Sequence, residues 1–183
     1  MTEGIIVLDM INDFVYGELA SDGARNIVSR LEKLLQEAEE KDIPIIFCRD
    51  SHSSSDPEID IWGEHAMADD EGSHVIPELS VYRGVEIPKR FYDAFHDTDL
   101  YLVLRELSVD IVVLTGVSTD ICVQHTAAGA FFRGFDIIVL DDCTASMNKD
   151  AHENALNYMK KMYGAKVLSL KELKKKWKKE RGL

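Results

Sequence analysis

The chain of 183 residues has only three cysteines, Cys48, Cys122 and Cys143, an odd number with no repeating spacing. That excludes a disulfide framework and points to reduced thiols. No apolar run approaches the ~20 residues needed to cross a bilayer, so no membrane span is expected. Positive charge is scarce: 21 Lys and Arg stand against 33 Asp and Glu, for a net charge of -12. A nucleic-acid polyanion would be repelled by such a chain. The N-terminus passes from MTEG straight into IIVLDM without the basic start or small-residue cleavage site of a signal peptide. A cytoplasmic location is the expectation. No internal repeat and no linker composition divides the sequence, so one domain over residues 1–183 is the simplest organisation.

What is present is a chain able to build a core, with 45% hydrophobic and 30% charged residues. Apolar runs rich in Ile and Val alternate with helical patterns, the mark of parallel α/β architecture. GIIVLDM, IPIIFC, VEIPKR, DIVVLTG, FDIIVL and AKVLSL are the expected strands. They predict a doubly wound, mainly parallel, six-stranded sheet with helices on both faces. Ile27, Val28, Leu31, Leu34, Leu35 and Ala38 recur at helical steps after an SDG start. The helix in DTDLYLVLREL is expected to be capped by Asp97 or Thr98. The one holding Cys122 should end at Gly134. Asp150 and Glu153 have capping-box spacing for a further helix reaching Gly164. From Ser51 to Arg83 runs a polar segment with little periodicity, functional or disordered.

The basic exception is the tail over 170–183, with seven basic and two acidic residues, which leaves a net charge of -17 on the remainder. Leu170, Leu173 and Trp177 fall at helical spacing there. A terminal helix that docks this stripe and leaves its lysines in solvent is preferred to a site for an anionic partner.

In an open parallel sheet, ligands bind beyond the carboxyl ends of the strands. Asp9 closes IIVLDM, Lys89 closes VEIPK, and Cys122 follows DIVVLTG at the first turn of its helix. The three therefore share one rim. A helix N-terminus and a nearby ammonium favour the thiolate, the form that attacks. A carboxylate in reach can accept the thiol proton and later deliver it to a leaving amine. Taken singly, each residue has a plainer reading as a loop cap, a surface charge or a core thiol. Cys48 and Cys143 are read as core.

A second group lies in RDSHSSSDPEIDIWGEH. Asp50 and His52 are two apart and point to the same side of an extended segment, and His65 can return by way of the loop. Two imidazoles and a carboxylate suit one divalent transition metal with positions left open. The alternative is a polar loop whose histidines face solvent. Glu58 is a further candidate ligand or an exposed acid. Phe14 and Trp62 are aromatic walls for a flat substrate or ordinary core.

Through IIVLDMINDF, VEIPKRFYDAFHDTDL, GVSTDICVQHTA and DDCTAS, which span nearly the whole chain, the sequence resembles the isochorismatase-like cysteine hydrolases. Its metal pattern resembles the nicotinamidase/pyrazinamidase branch. The resemblance implies a Rossmann-like three-layer fold and an Asp9, Lys89, Cys122 triad. It also implies a cis peptide between Val117 and Ser118 and an oxyanion hole made by the backbone N–H groups of Ser118 and Cys122. The implied metal ligands are Asp50, His52 and His65, with Glu58 where some members add another. Zinc is the first choice of ion, iron or manganese the next, and no organic cofactor is expected. Phe14 and Trp62 match stacking aromatics, and Tyr92 matches a tyrosine three residues after the catalytic lysine.

The implied activity is hydrolysis of nicotinamide, and of pyrazinamide, to the acid and ammonia through a thioester, by a homo-oligomer serving pyridine nucleotide salvage. Rival readings are a ureido or carbamoyl amide hydrolase, an isochorismatase, or a non-catalytic binding or scaffolding protein that kept the fold. Three departures leave the substrate open. Asp93 stands in RFYDAF where many members have Ser, Gly129 stands where Asp is frequent, and WGEHAMADDEG lacks the more usual proline and cysteine.

Overall fold

Each of the six apolar runs forms a strand in the computed structural model, which describes residues 1–17 and 19–180. They are β1 (Thr2–Leu8), β2 (Ile45–Asp50), β3 (Val85–Lys89), β4 (Val109–Val117), β5 (Asp136–Ala145) and β6 (Lys166–Leu168). The helices are α1 (Asn12–Val15), α2 (Asp22–Glu40), α3 (Ile59–Trp62), α4 (Pro77–Ser80), α5 (Leu100–Glu106), α6 (Gln124–Phe132), α7 (Lys149–Met162) and α8 (Leu170–Glu180). The strand order is β3-β2-β1-β4-β5-β6. Every pairing is parallel, which sharpens the expected "mainly parallel" sheet. The chain winds outward from β1 to β3 and then returns to β4, so the order reverses between β1 and β4. That switch point is where an open α/β sheet presents its crevice.

Alternation along β1 sends Ile5 and Val7 to one face and Ile6 and Leu8 to the other, and both faces are buried. The first face packs against Leu31, Leu34 and Leu35 of α2 and against Leu173 and Trp177 of α8. The second packs against Leu100 and Leu104 of α5, Ala127 and Ala130 of α6, and Leu156 and Met159 of α7. The terminal helix therefore docks its apolar stripe on its own chain, with Lys174 Nζ 2.6 Å from Glu37 and Trp177 Nε1 donating to buried Glu3. Residues 181–183 of the expected basic tail lie outside the described residues. No described helix is long and apolar enough to cross a membrane.

Several boundaries differ from the sequence expectation. Ser21 Oγ accepts from Ala24 N–H at 3.0 Å, so α2 starts at Asp22. The cap of α7 is Asn148, whose Oδ1 accepts from Ala151 N–H at 2.8 Å, and Asp150 lies inside the helix. The nearer amide acceptor displaces the proposed Asp150–Glu153 box. Asp99 takes the N-cap position of α5 without a side-chain bond, while Thr98 Oγ1 accepts from Leu100 N–H at 3.2 Å. Beyond FDIIVL, β5 continues through DDCTA because a shift of register between Leu114 and Gly116 lets pairing resume at Thr144 and Ala145. The polar stretch 51–83 is ordered, tied down by bridges from Ile11 to Val75 and from His52 to Met67.

Candidate active site

Asp9 follows β1 with φ of 53°, and its N–H donates to Cys48 C=O at 2.9 Å. Next to it, Gly116 in β4 has φ of 97°, and a Cβ there would stand 2.0 Å from Leu8 O. Only glycine lets the two strands approach at this height. Lys89 Nζ, at the end of β3, lies 2.9 Å from Asp9 Oδ2 and donates to Asp50 Oδ1 at 2.5 Å. It also reaches Cys122 Sγ at 3.5 Å. Asp9 is 0%, Lys89 1% and Cys122 5% exposed, which dismisses the loop-cap and surface-charge readings. Cys48 and Cys143 are buried as expected, and all three cysteines are free thiols.

The peptide between Val117 and Ser118 is cis. It leads into a π-helical turn, Thr119–Val123, that precedes α6, so Cys122 lies in this turn and not in the first turn of α6. The N–H groups of Ile121 and Val123 both donate to Ser118 C=O at 3.1 Å, wrapping the turn around the thiol.

Burial and the charge of Asp50 raise Asp9 to about 6 against the pull of Lys89. Burial, followed by the charge of Asp9, pushes the Cys122 thiol well above its ordinary value, and Lys89 opposes this only in part. Burial and the two carboxylates therefore work against the thiolate that the position near a helix N-terminus suggested, and the one ammonium works for it.

Asp50, His52, Glu58 and His65 converge, with one ligand atom from each within 4.8 Å of the others. All four are buried, which rejects the solvated-loop alternative. His65 Nδ1 lies 2.7 Å from Gly63 O. A carbonyl only accepts, so the ring nitrogen left for a ligand is Nε2. His52 Nε2 has no hydrogen-bond partner despite its burial, and it stands 3.6 Å from Asp50 Oδ2 and 3.7 Å from Glu58 Oε2. A buried imidazole nitrogen without a hydrogen-bond partner beside two carboxylates fits a cation, and the N/O donor set suits a divalent transition metal. Burial and Asp50 raise Glu58 to about 7. For Asp50, burial is outweighed by Lys89 and His52, which hold the carboxylate below its ordinary range.

One pocket takes in both groups. Its wall includes Phe14, Trp62 and Tyr92 together with Cys122, Ser118, Asp50, Glu58 and His65. Trp62 Nε1 donates to Tyr92 OH at 2.9 Å, and the Phe14 ring lies 5.7 Å from that of His65. Leu19, Ser21, Val117, Ile121 and Met147 complete the lining, and of these only Val117, in the cis peptide, was singled out from the sequence for the site. Asp56 was also missed, although it follows His52 by four residues. No Lys or Arg is among the described lining residues.

Two of the sequence departures meet in space. A Cβ on Gly129 would meet Asp93 Oδ1 at 2.4 Å, so the carboxylate on the loop fills the space that a side chain on α6 would need.

Comparison with known proteins agrees with this architecture. The family model described as the Isochorismatase domain matches residues 3–172. N-carbamoylsarcosine amidase from Thermoplasma acidophilum is 37% identical with a TM-score of 0.86, covering 92% of this chain and 96% of that one. The nicotinamidase/pyrazinamidase PncA from Bacillus subtilis is 33% identical with a TM-score of 0.87, covering 92% and 100%. The pyrazinamidase of Pyrococcus horikoshii, in complex with zinc, is 28% identical with a TM-score of 0.85, covering 93% and 100%. A match running nearly from end to end, together with a six-stranded parallel sheet shared with these structures, places the chain in the isochorismatase family.

Proposed function

We propose that the protein is a metal-dependent cysteine amidohydrolase that converts nicotinamide, and pyrazinamide by the same chemistry, to the carboxylic acid and ammonia. The observation that carries this reading is the charge of the pocket. Its described wall has aromatic faces and a thiol but no cationic side chain, and the ammonium of Lys89 is already matched by Asp9. With Asp50 and Glu58 ionised, a divalent ion would be neutralised by its own ligands. Such a site suits a flat, neutral amide better than a ureido or carbamoyl acid, whose carboxylate would enter unpaired.

Asp50, His52, Glu58 and His65 would hold the ion, which supplies a contact for the pyridine nitrogen, directly or through water. Phe14 and Trp62 flank the ring, and the carboxamide is presented to Cys122. Asp9 takes the thiol proton as sulfur attacks the carboxamide carbon. The two events are coupled, since neither the thiolate nor a protonated Asp9 is favoured alone at neutral pH. The N–H groups of Ser118 and Cys122 receive the oxyanion, and each such donor lowers the barrier by roughly 3–4 kcal/mol. Asp9 returns its proton to the departing nitrogen as the C–N bond breaks, which gives ammonia and a thioester. Water, giving its proton to Asp9, attacks the thioester and frees the acid, and the proton returns to Cys122. Lys89 keeps Asp9 in place through both halves.

The test is ammonia release from nicotinamide, pyrazinamide, N-carbamoylsarcosine and a ureido acid, each with and without chelator. Fast release from the two neutral amides, abolished by chelation, is expected. Preference for an acid substrate, or full activity without metal, would move the protein to another branch of its family. Failure of a thiol-reactive nicotinamide analogue to label Cys122 would favour a non-catalytic role.

A further inference from the structure

We propose that Asp56 is a positioning residue for the metal site, holding His52 with its hydrogen on Nδ1 so that the Nε2 lone pair faces the ion, and that Arg90 holds Asp56. This rests on reading Asp50, His52, Glu58 and His65 as metal ligands. The side chain of Asp56 is 1% exposed, and its Oδ2 stands 3.1 Å from His52 Nδ1. The same carboxylate accepts from Ser53 N–H at 3.0 Å and from Arg90 Nε at 2.9 and 3.1 Å, and the Arg90 terminal nitrogen also donates to Oδ1.

An ionised carboxylate only accepts, so the partner nitrogen of His52 must be the donor. The hydrogen is then on Nδ1, and Nε2 turns bare toward Asp50 Oδ2 and Glu58 Oε2. A carboxylate behind a metal-binding imidazole fixes the ring's tautomer and orientation and raises its basicity as a ligand. The two histidines differ in how this is achieved. His65 leans on the backbone carbonyl of Gly63, which no substitution removes, whereas His52 leans on a side chain. Arg90 comes from the segment after β3, and so ties the His52 loop to the strand end that also carries Lys89.

Protein labelled with ¹⁵N-histidine and stripped of metal allows a direct measurement. Long-range ¹H–¹⁵N spectra at alkaline pH, where the ring is neutral, should show His52 hydrogen on Nδ1, its signals assigned by their loss in His52→Gln. In Asp56→Ala the single tautomer should give way to a mixture, and zinc affinity should fall about 10–100-fold. The tautomer of His65 and the alkylation rate of Cys122 should stay as in the wild type, which a general loosening of the loop would not allow. Because Asp56→Ala strands Arg90, the double variant Asp56→Ala/Arg90→Ala is measured beside it. Hydrogen on Nε2 of wild-type His52 overturns the proposal, as does wild-type zinc affinity in either folded variant. A wild type that binds no zinc would instead overturn the metal reading and this proposal together.

Discussion

Lys89 Nζ donates to Asp50 Oδ1 at 2.5 Å while standing 2.9 Å from Asp9 Oδ2, so one ammonium joins Asp9 to the candidate metal-ligand cluster. Asp50 returns the link through its N–H, which donates to Asp9 Oδ1 at 2.8 Å. Asp50→Asn should therefore lose metal and also change the alkylation rate of Cys122. His65→Ala should lose metal but leave that rate within about twofold, since His65 touches no member of the triad. Metal content and iodoacetamide kinetics on both variants decide the matter. Equal metal in wild type and His65→Ala would remove His65 from the ligand set.

The pH dependence follows from Asp9. Its carboxyl ionises at the ordinary 3.8 when unfolded and at about 6 when folded, raised by burial and then by Asp50. As base it must be ionised, so kcat/KM should rise with pH to a plateau, with a midpoint near 6. Stability runs the other way. Below 3.8 both states hold the proton; as pH rises from there to about 6 the unfolded chain gives it up first, and the folded state loses stability. Asp9→Asn should thus be inactive yet more stable at neutral pH, by roughly 2–3 kcal/mol. Denaturant unfolding of both proteins in acid and neutral buffer measures the difference, which should vanish in acid.

Cys122→Ala should fold normally and lose on the order of 10⁴–10⁶ in kcat, because in the proposed reaction the sulfur forms the covalent bond. Cys48→Ala and Cys143→Ala should keep kcat and lose roughly 0.5–3 kcal/mol of stability. The reverse pattern would mean that another thiol is the nucleophile.

Gly129→Asp alone should destabilise the protein by about 1–3 kcal/mol, since its Cβ has no room beside the Asp93 carboxylate. Asp93→Ser/Gly129→Asp should recover most of that loss. Thermal melts of the two variants test the pairing, and additive effects would refute it.

Trp177→Ala should cost about 3–5 kcal/mol, through a cavity under α8 and an unpaired oxygen on buried Glu3. The residue lines no part of the substrate pocket, so kcat measured well below the melting temperature should not change.

The sheet and the triad were legible because both are written in local pattern. Apolar runs such as IIV and IVVL read as strands buried on both faces, the pattern of a parallel sheet covered by helices, and residues at or just beyond the end of each run lie at its rim. That placed Asp9, Lys89 and Cys122 together before any distance was known. Asp50 and His52 were legible for a similar reason, as two side chains on one side of an extended segment. The cap of α7 and the length of β5 were not, because Asn148 and the register shift at Leu114 win by contacts that local spacing does not encode.

The sequence by itself determined the order of elements, the strand-end address of the candidate reactive groups and the donor types of the candidate metal cluster. All three depend on residues near one another in the chain. Only the tertiary structure decided the burial that works against the thiolate, the bridge from Lys89 to Asp50, the contacts linking His52, Asp56 and Arg90, and the close approach of Asp93 to Gly129. Each of these depends on burial or on partners far apart in the chain. Charge and free volume act through space, so their outcome is set only when the strands and loops have been brought together.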